Sequence, residues 1–127
     1  VTRPVDVRDI LAETLETEGV DAAIARYQEL REKYYGSGSY DFRPFMLANV
    51  AERVARQHPQ GALQLLEFNA ELFPDLGQTF LTMAQIHRAM GDIDAAIAAL
   101  ERAAEAEPGN STFYRGAIER LRAARNR

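Results

Sequence analysis

Residues 62–74, ALQLLEFNAELFP, lie over residues 96–108, AIAALERAAEAEP, at a constant offset of 34 residues. Ala62 falls on Ala96, Leu63 on Ile97, Leu66 on Leu100, Ala70 on Ala104, Glu71 on Glu105 and Pro74 on Pro108. A third copy lies upstream: Val20-Asp21-Ala22-Ala23-Ile24-Ala25 reads almost letter for letter like Ile93-Asp94-Ala95-Ala96-Ile97-Ala98. Ala23 precedes Ala62 by 39 residues, so the first copy carries an insertion. A fixed period of this size is the mark of stacked supersecondary units, each too small to bury its own apolar face.

The matched segments have helical spacing. Ala23, Ile24, Tyr27, Leu30 and Tyr34 share one face, as do Ala96, Ile97, Leu100, Ala103 and Ala104. Each copy is preceded by another helical pattern. Ile10, Leu11, Thr14 and Leu15 cluster within 7–17; Leu47, Val50, Ala51 and Val54 within 45–56; Phe80, Met83, Ala84, His87 and Met90 within 79–90. Gly19, the stretch His58-Pro59-Gln60-Gly61, and Gly91-Asp92 are expected to break the three pairs between their helices. Pro74 and Pro108 are expected to end the second helices, because proline cannot continue the hydrogen-bond ladder. A final helix over about 111–125 carries Tyr114, Ala117, Ile118 and Leu121, with Asn110 or Ser111 as its expected cap. No stretch alternates with period two, so strands are not expected. The expected fold is all-α: an α-solenoid of three helix pairs, at about 5–35, 44–74 and 77–108, closed by a capping helix within a single domain, 1–127.

This 34-residue helix pair, with small residues at fixed places and a terminal proline, resembles the tetratricopeptide repeat. In the third copy Phe80, Met83, Ala84, His87, Gly91, Ala96, Leu100, Ala103 and Pro108 fall on the family's signature positions. The departures are His87 where the family has Tyr, Asn69 where it has a small residue, and Tyr35 where it has Pro. The resemblance implies a scaffold that binds a protein or peptide in a groove lined by the first helix of each pair. Aligned residue by residue, that groove would take Phe45, Ala48, Glu52 and Arg56 from the second pair and Gln78, Leu81, Gln85 and Arg88 from the third, with Arg8, Ala12 and Leu15 from the first. Chaperone-binding members hold a C-terminal carboxylate with Lys, Asn and Arg; the matching positions here carry Ala12, Gln78 and Thr82, so no such clamp is expected.

A narrower resemblance rests on Glu18-Gly19-Val20-Asp21-Ala22-Ala23-Ile24-Ala25-Arg26-Tyr27, followed by a charged helix and Tyr40-Asp41-Phe42. This wording is similar to repeat tails that follow the catalytic domain in some bacterial serine hydrolases of the β-lactamase and penicillin-binding class. It implies an accessory domain of a periplasmic or secreted protein, with a covalently linked catalytic domain as partner. Separately, the opening Val1-Thr2-Arg3-Pro4, without Met, reads as a processed product or an excised piece of something longer.

Nothing in the chain supports catalysis. The three serines, Ser37, Ser39 and Ser111, lie in neither a G-x-S-x-G elbow nor an S-x-x-K pattern. His58 and His87 have no carboxylate or second histidine at ligand spacing on one helix; His87 is expected to be structural and His58 solvated. There is no Cys and no glycine loop to cradle phosphate, so neither a cofactor nor a metal is expected. No apolar run approaches membrane-spanning length.

Charge is unevenly spread. The net charge of −4 makes nucleic acid an unexpected main partner. Residues 6–21 hold Asp6, Asp9, Glu13, Glu16, Glu18 and Asp21 against Arg8, whereas 111–127 hold Arg115, Arg120, Arg122, Arg125 and Arg127 against Glu119. The arginines read as a solvated cap, or as a contact for the acidic helix of a second copy, giving weak homo-oligomers. The loop 36–44 reads as a connector whose Tyr40 and Phe42 tuck against neighbouring helices, or as a docking loop that offers them to a partner.

Overall fold

The computed structural model describes residues 6–34 and 42–126. Among these the chain is all-α: seven helices, one short 3-10 turn and no strand. They are α1 (Val7–Glu18), α2 (Val20–Tyr34), α3 (Phe45–Val54), α4 (Pro59–Leu72), α5 (Gly77–Ala89), α6 (Ile93–Ala106) and α7 (Ser111–Arg125). The architecture is a helical repeat of the tetratricopeptide-like kind. The chain divides into two compact units, Val1–Phe68 and Asn69–Arg127.

In the first unit α1 starts at Asp6, whose Oδ1 accepts the Arg8 backbone N–H at 2.9 Å and so satisfies one free donor of the first turn. The Arg8 guanidinium closes on the same carboxylate. Gly19 turns the chain with φ of 98°, a left-handed value that suits glycine, and its N–H bonds to the Leu15 carbonyl. α1 then packs on both α2 and α3. The core holds Val7, Leu11 and Leu15 of α1 with Ala23, Tyr27 and Leu30 of α2. Tyr27 carries Phe42 and Phe68 edge-on, at centroid distances of 6.0 and 5.7 Å. Phe42 is therefore core, in keeping with the connector reading of its loop; residues 36–41, Tyr40 among them, lie outside the described residues.

Three expectations need correction in this unit. Pro59, Gln60 and Gly61 are not a turn but the first residues of α4. Proline is suited to the first helical position, where its missing N–H has no intrahelical partner to lose. The reversal lies earlier, at Ala55–His58, where the His58 N–H bonds to the Val54 carbonyl at 2.8 Å. Gly61, inside α4, sits close to Leu15, whose Cδ2 would be 3.5 Å from a Cβ added there. Ala12, Leu15 and Ala48, aligned with a groove, are instead buried. The acidic α1 is also less free than its composition implies, since Asp9 bonds to Arg53 of α3 at 2.5 Å.

In the second unit α6 packs against α5 and against α7. Its buried residues include Ala96, Ala99 and Ala103, small enough for close helix approach. Asp92 caps α6 through its carboxylate and the Ala95 N–H, while Gly91 reverses the chain with φ of 83°. Asn69 at the end of α4 is buried and donates to Thr79 of α5 at 3.0 Å, so the departure from a small residue is matched by a hydroxyl partner. Met90 is a correction: it ends its helix 43% exposed rather than joining the inward face. The cap of α7 is another. Asn110 holds the cap position without a side-chain cap bond, because Pro108–Asn110 form a 3-10 turn and the Asn110 amide is drawn to Glu107 instead.

Candidate protein-binding cleft

The second unit contains a cleft of about 330 Å³ between α5 and α7. α5 lines it with Leu81, Ala84, Gln85 and Arg88, which recur at helical spacing along one face. α7 contributes Phe113, Ala117, Arg120, Leu121 and Ala124 by the same periodicity. Ile93 and the buried Leu100 of α6 complete the wall. Eight of these eleven side chains are apolar, and three of them are alanines that leave room rather than fill it. Phe113 stands at the cleft 58% exposed, its ring edge-on to buried Tyr114 at 5.4 Å. No acidic residue lines the cleft, and neither Arg88 nor Arg120 has an ion-pair partner among the described residues.

Two other arginines of α7 behave differently. Arg122 bonds to Glu119 at 2.8 Å and lies 3.8 Å from Glu101 of α6, while Arg125 pairs with Asp94 of α6. These pairs are exposed and weak in stability terms, but they answer charge that composition alone assigns to a free basic face.

The start of α5 is held by an arrangement that sequence reading missed. The Gly77 N–H donates to Glu107 Oε1 at 2.6 Å, and the Asn110 amide donates to Oε2 at 2.6 Å. Tyr114 Oη lies 3.5 Å from the same Oε2. Glu107 thus caps α5 from the end of α6, because Leu76, at the cap position, has no side-chain acceptor. Gly77 is required there: an added Cβ would lie 2.5 Å from Glu107 Oε1 and from Tyr114 Oη. Burial of the Tyr114 phenol, with the Glu107 carboxylate beside it, raises its pKa above the usual tyrosine value. One signal was available in the sequence. Glu107 sits 34 residues after Phe73, so it is a position where the repeat breaks its own pattern.

Of the eleven residues aligned with a groove, Ala12, Leu15 and Ala48 are buried, Arg8 is bonded to Asp6, and the other seven divide between the units. Leu81, Gln85 and Arg88 line the cleft. Gln78 is on the same helix but half-buried, its amide 3.4 Å from Thr82 Oγ1. Phe45, Glu52 and Arg56 belong to the first unit, and all three are exposed. Phe113, Arg120 and Leu121 are cleft residues that the groove alignment did not include, because it treated α7 only as a cap. His87 is half-buried, with Nδ1 buried and without a hydrogen-bond partner among the described residues, and His58 is half-buried in the α3–α4 turn. Among the described residues no group of side chains has the makings of a metal site, and no helix is long and apolar enough to cross a membrane.

The tetratricopeptide repeat family model matches residues 78–125, from the first turn of α5 to the end of α7. The matched stretch therefore contains every residue of the cleft. Repeats of this family generally mediate protein–protein interaction, and the all-helical fold is typically a non-enzymatic interaction module. No curated protein matches the chain.

Proposed function

We propose that this chain is a protein-interaction scaffold, acting as one domain over 1–127, and that the α5–α7 cleft seats apolar side chains of its partner. The observation that carries this reading is an open apolar cleft with an exposed phenylalanine at its edge and two arginines that have no ion-pair partner among the described residues. A site of this size, mostly apolar with a few convergent polar groups, is the usual form of a binding pocket. We propose further that the chain is an accessory domain of a bacterial periplasmic or secreted hydrolase, so that the partner segment is covalently linked. The similarity of Glu18–Tyr27 to such repeat tails supports this step.

Photo-cross-linking in source cells tests the reading. Benzoylphenylalanine replaces Phe113 at the cleft, or Gln28, an exposed residue of α2, as control. Adducts from position 113 and not from 28 are expected, with peptide mapping to identify the joined segment. Equal labelling from both positions, or none from 113, contradicts it. Mapping to a hydrolase domain of the same polypeptide supports the accessory reading, and mapping to an unrelated protein removes it.

The alternative is self-assembly through the acidic and basic ends. It is weakened by the pairing of Asp9 with Arg53, Arg122 with Glu119 and Arg125 with Asp94, which leaves less free charge at either end. Light scattering at low and high salt decides it: a monomer at both removes the alternative, and salt-sensitive oligomers would restore it.

A further inference from the structure

We infer that the occupant of the cleft is an acidic amphipathic α-helix of about three turns, docked along the face between α5 and α7. The inference rests on the proposed binding role of the cleft and adds the conformation and charge of what binds.

Backbone satisfaction favours a helix. An extended segment laid into a cleft must find partners for N–H and C=O groups it takes out of water, and each unpaired group is costly. Among the described residues Gln85 is the single amide side chain in the lining, and no hydroxyl or carboxylate stands there. The walls are themselves helices, whose backbone groups are occupied by their own ladders. Arg88, Arg120 and Gln85 can donate to a few carbonyls of an extended peptide, but among the described lining side chains only the Gln85 carbonyl can accept from its N–H groups. A helix brings its own ladder and needs only apolar contact on one face.

Dimensions agree with this. The lining runs from Phe113 to Ala124 on α7, about 16 Å at the helical rise, which accommodates about eleven helical residues. Ala84, Ala117 and Ala124 keep the floor low enough for a side chain at every helical turn of the occupant. Charge selects the sign. Arg88 and Arg120 are exposed, lack ion-pair partners among the described residues and face no acid in the lining, so carboxylates flanking the apolar stripe would be attracted and ammonium groups repelled.

The test is an NMR titration of the isotope-labelled full chain with three end-capped synthetic peptides of fourteen or so residues, about the length that three to four turns require. The first carries leucines at i, i+3 and i+7 with glutamates beside them; the second has the same residues with two central prolines in place of alanines; the third has lysines for the glutamates. The expected result is that the first peptide shifts amides of α5 and α7 with a Kd in the micromolar to low millimolar range, roughly 4–8 kcal/mol by the binding relation. Binding should fall on the order of tenfold in Arg88→Glu/Arg120→Glu and weaken as salt screens the charges. Both sites are exposed, so the variant is expected to keep its helical circular dichroism.

Equal binding of the proline peptide at the same amides would overturn the helical occupant while leaving the binding role intact. Equal binding of the lysine peptide would overturn the charge preference. Cleft shifts on concentrating the chain alone would mean that a second copy fills the site and would overturn the proposal. No cleft shifts from any peptide would overturn both the occupant and the binding role of the cleft.

Discussion

The two compact units solve the same packing problem with different materials. The first uses large side chains: Tyr27 with Phe42 and Phe68 edge-on, and an α3 in which six of ten residues are buried. The second also buries Phe80, Tyr114 and Ile118, but its α6 packs through Ala96, Ala99 and Ala103, and alanines recur along the cleft on α5 and α7. Large side chains fill the space that helix crossings leave. Small ones allow close approach where helices touch and leave a cleft where they do not. A repeat can thus keep its period while its second unit opens an apolar cleft. Groove positions aligned from the same repeat register are buried at Ala12, Leu15 and Ala48, exposed at Phe45, Glu52 and Arg56, and line a cleft at Leu81, Gln85 and Arg88.

The sharpest way to break this comparison is to remove one aromatic from each unit. Tyr27→Ala is expected to cost about 3–5 kcal/mol, the range for deleting a buried ring. Phe113→Ala should cost less than about 1 kcal/mol, because the ring is more than half exposed. Urea unfolding measures both, and equal losses would abolish the contrast. Adding volume is the complementary experiment. Ala51→Leu enters a site with no free surface and should destabilise by about 1–3 kcal/mol through overpacking. Ala117→Leu enters the cleft and should stay within about 0.5 kcal/mol of the parent, since the new atoms meet open space. A large loss at 117 would mean the cleft is tighter than the structure has it.

The cap at the start of α5 belongs to the second unit alone and predicts a smaller, coupled effect. Glu107→Ala should cost about 0.5–2 kcal/mol, as for other lost caps. Gly77→Ala alone should destabilise as well, because its methyl displaces the Glu107 carboxylate. In the double variant the second change should cost measurably less than it does alone, and additive costs would separate the two residues. Alkaline pH gives the smallest signal. The Tyr114 phenol has its folded pKa raised above the unfolded value near 10, chiefly by burial, so its contribution is fully present below about pH 10. That contribution is lost as pH rises from the unfolded toward the folded value, where the unfolded chain ionises first. Tyr114→Phe should flatten this limb of the stability profile, and an unchanged limb would assign it to other groups.

The repeat architecture was legible because its punctuation is local. Gly19 and Gly91 reverse the chain where helix pairs turn, Pro74 and Pro108 lie just past α4 and α6, and the apolar faces follow the helical period. Pro59 misled for an equally local reason: proline both stops helices and begins them, and only the Ala55–His58 turn before it decides which. Non-local polar contacts were not legible. Glu107 reaches Gly77 across 30 residues, and Arg125 reaches Asp94 across 31, distances over which periodicity says nothing about side-chain direction. The cleft was half legible. Its α5 wall followed from the family register, while its α7 wall was hidden by reading that helix as a cap.

The contrast between a closed and an open face can be measured directly, by the broadening that a soluble paramagnetic probe causes in methyl NMR signals. Strong broadening is expected at Leu81, Ala117 and Leu121, and protection at Leu47, Ala51 and Leu11. Protection of the first group to the same degree as the second would mean the cleft is closed in solution, and would contradict the claim that this unit presents a binding surface.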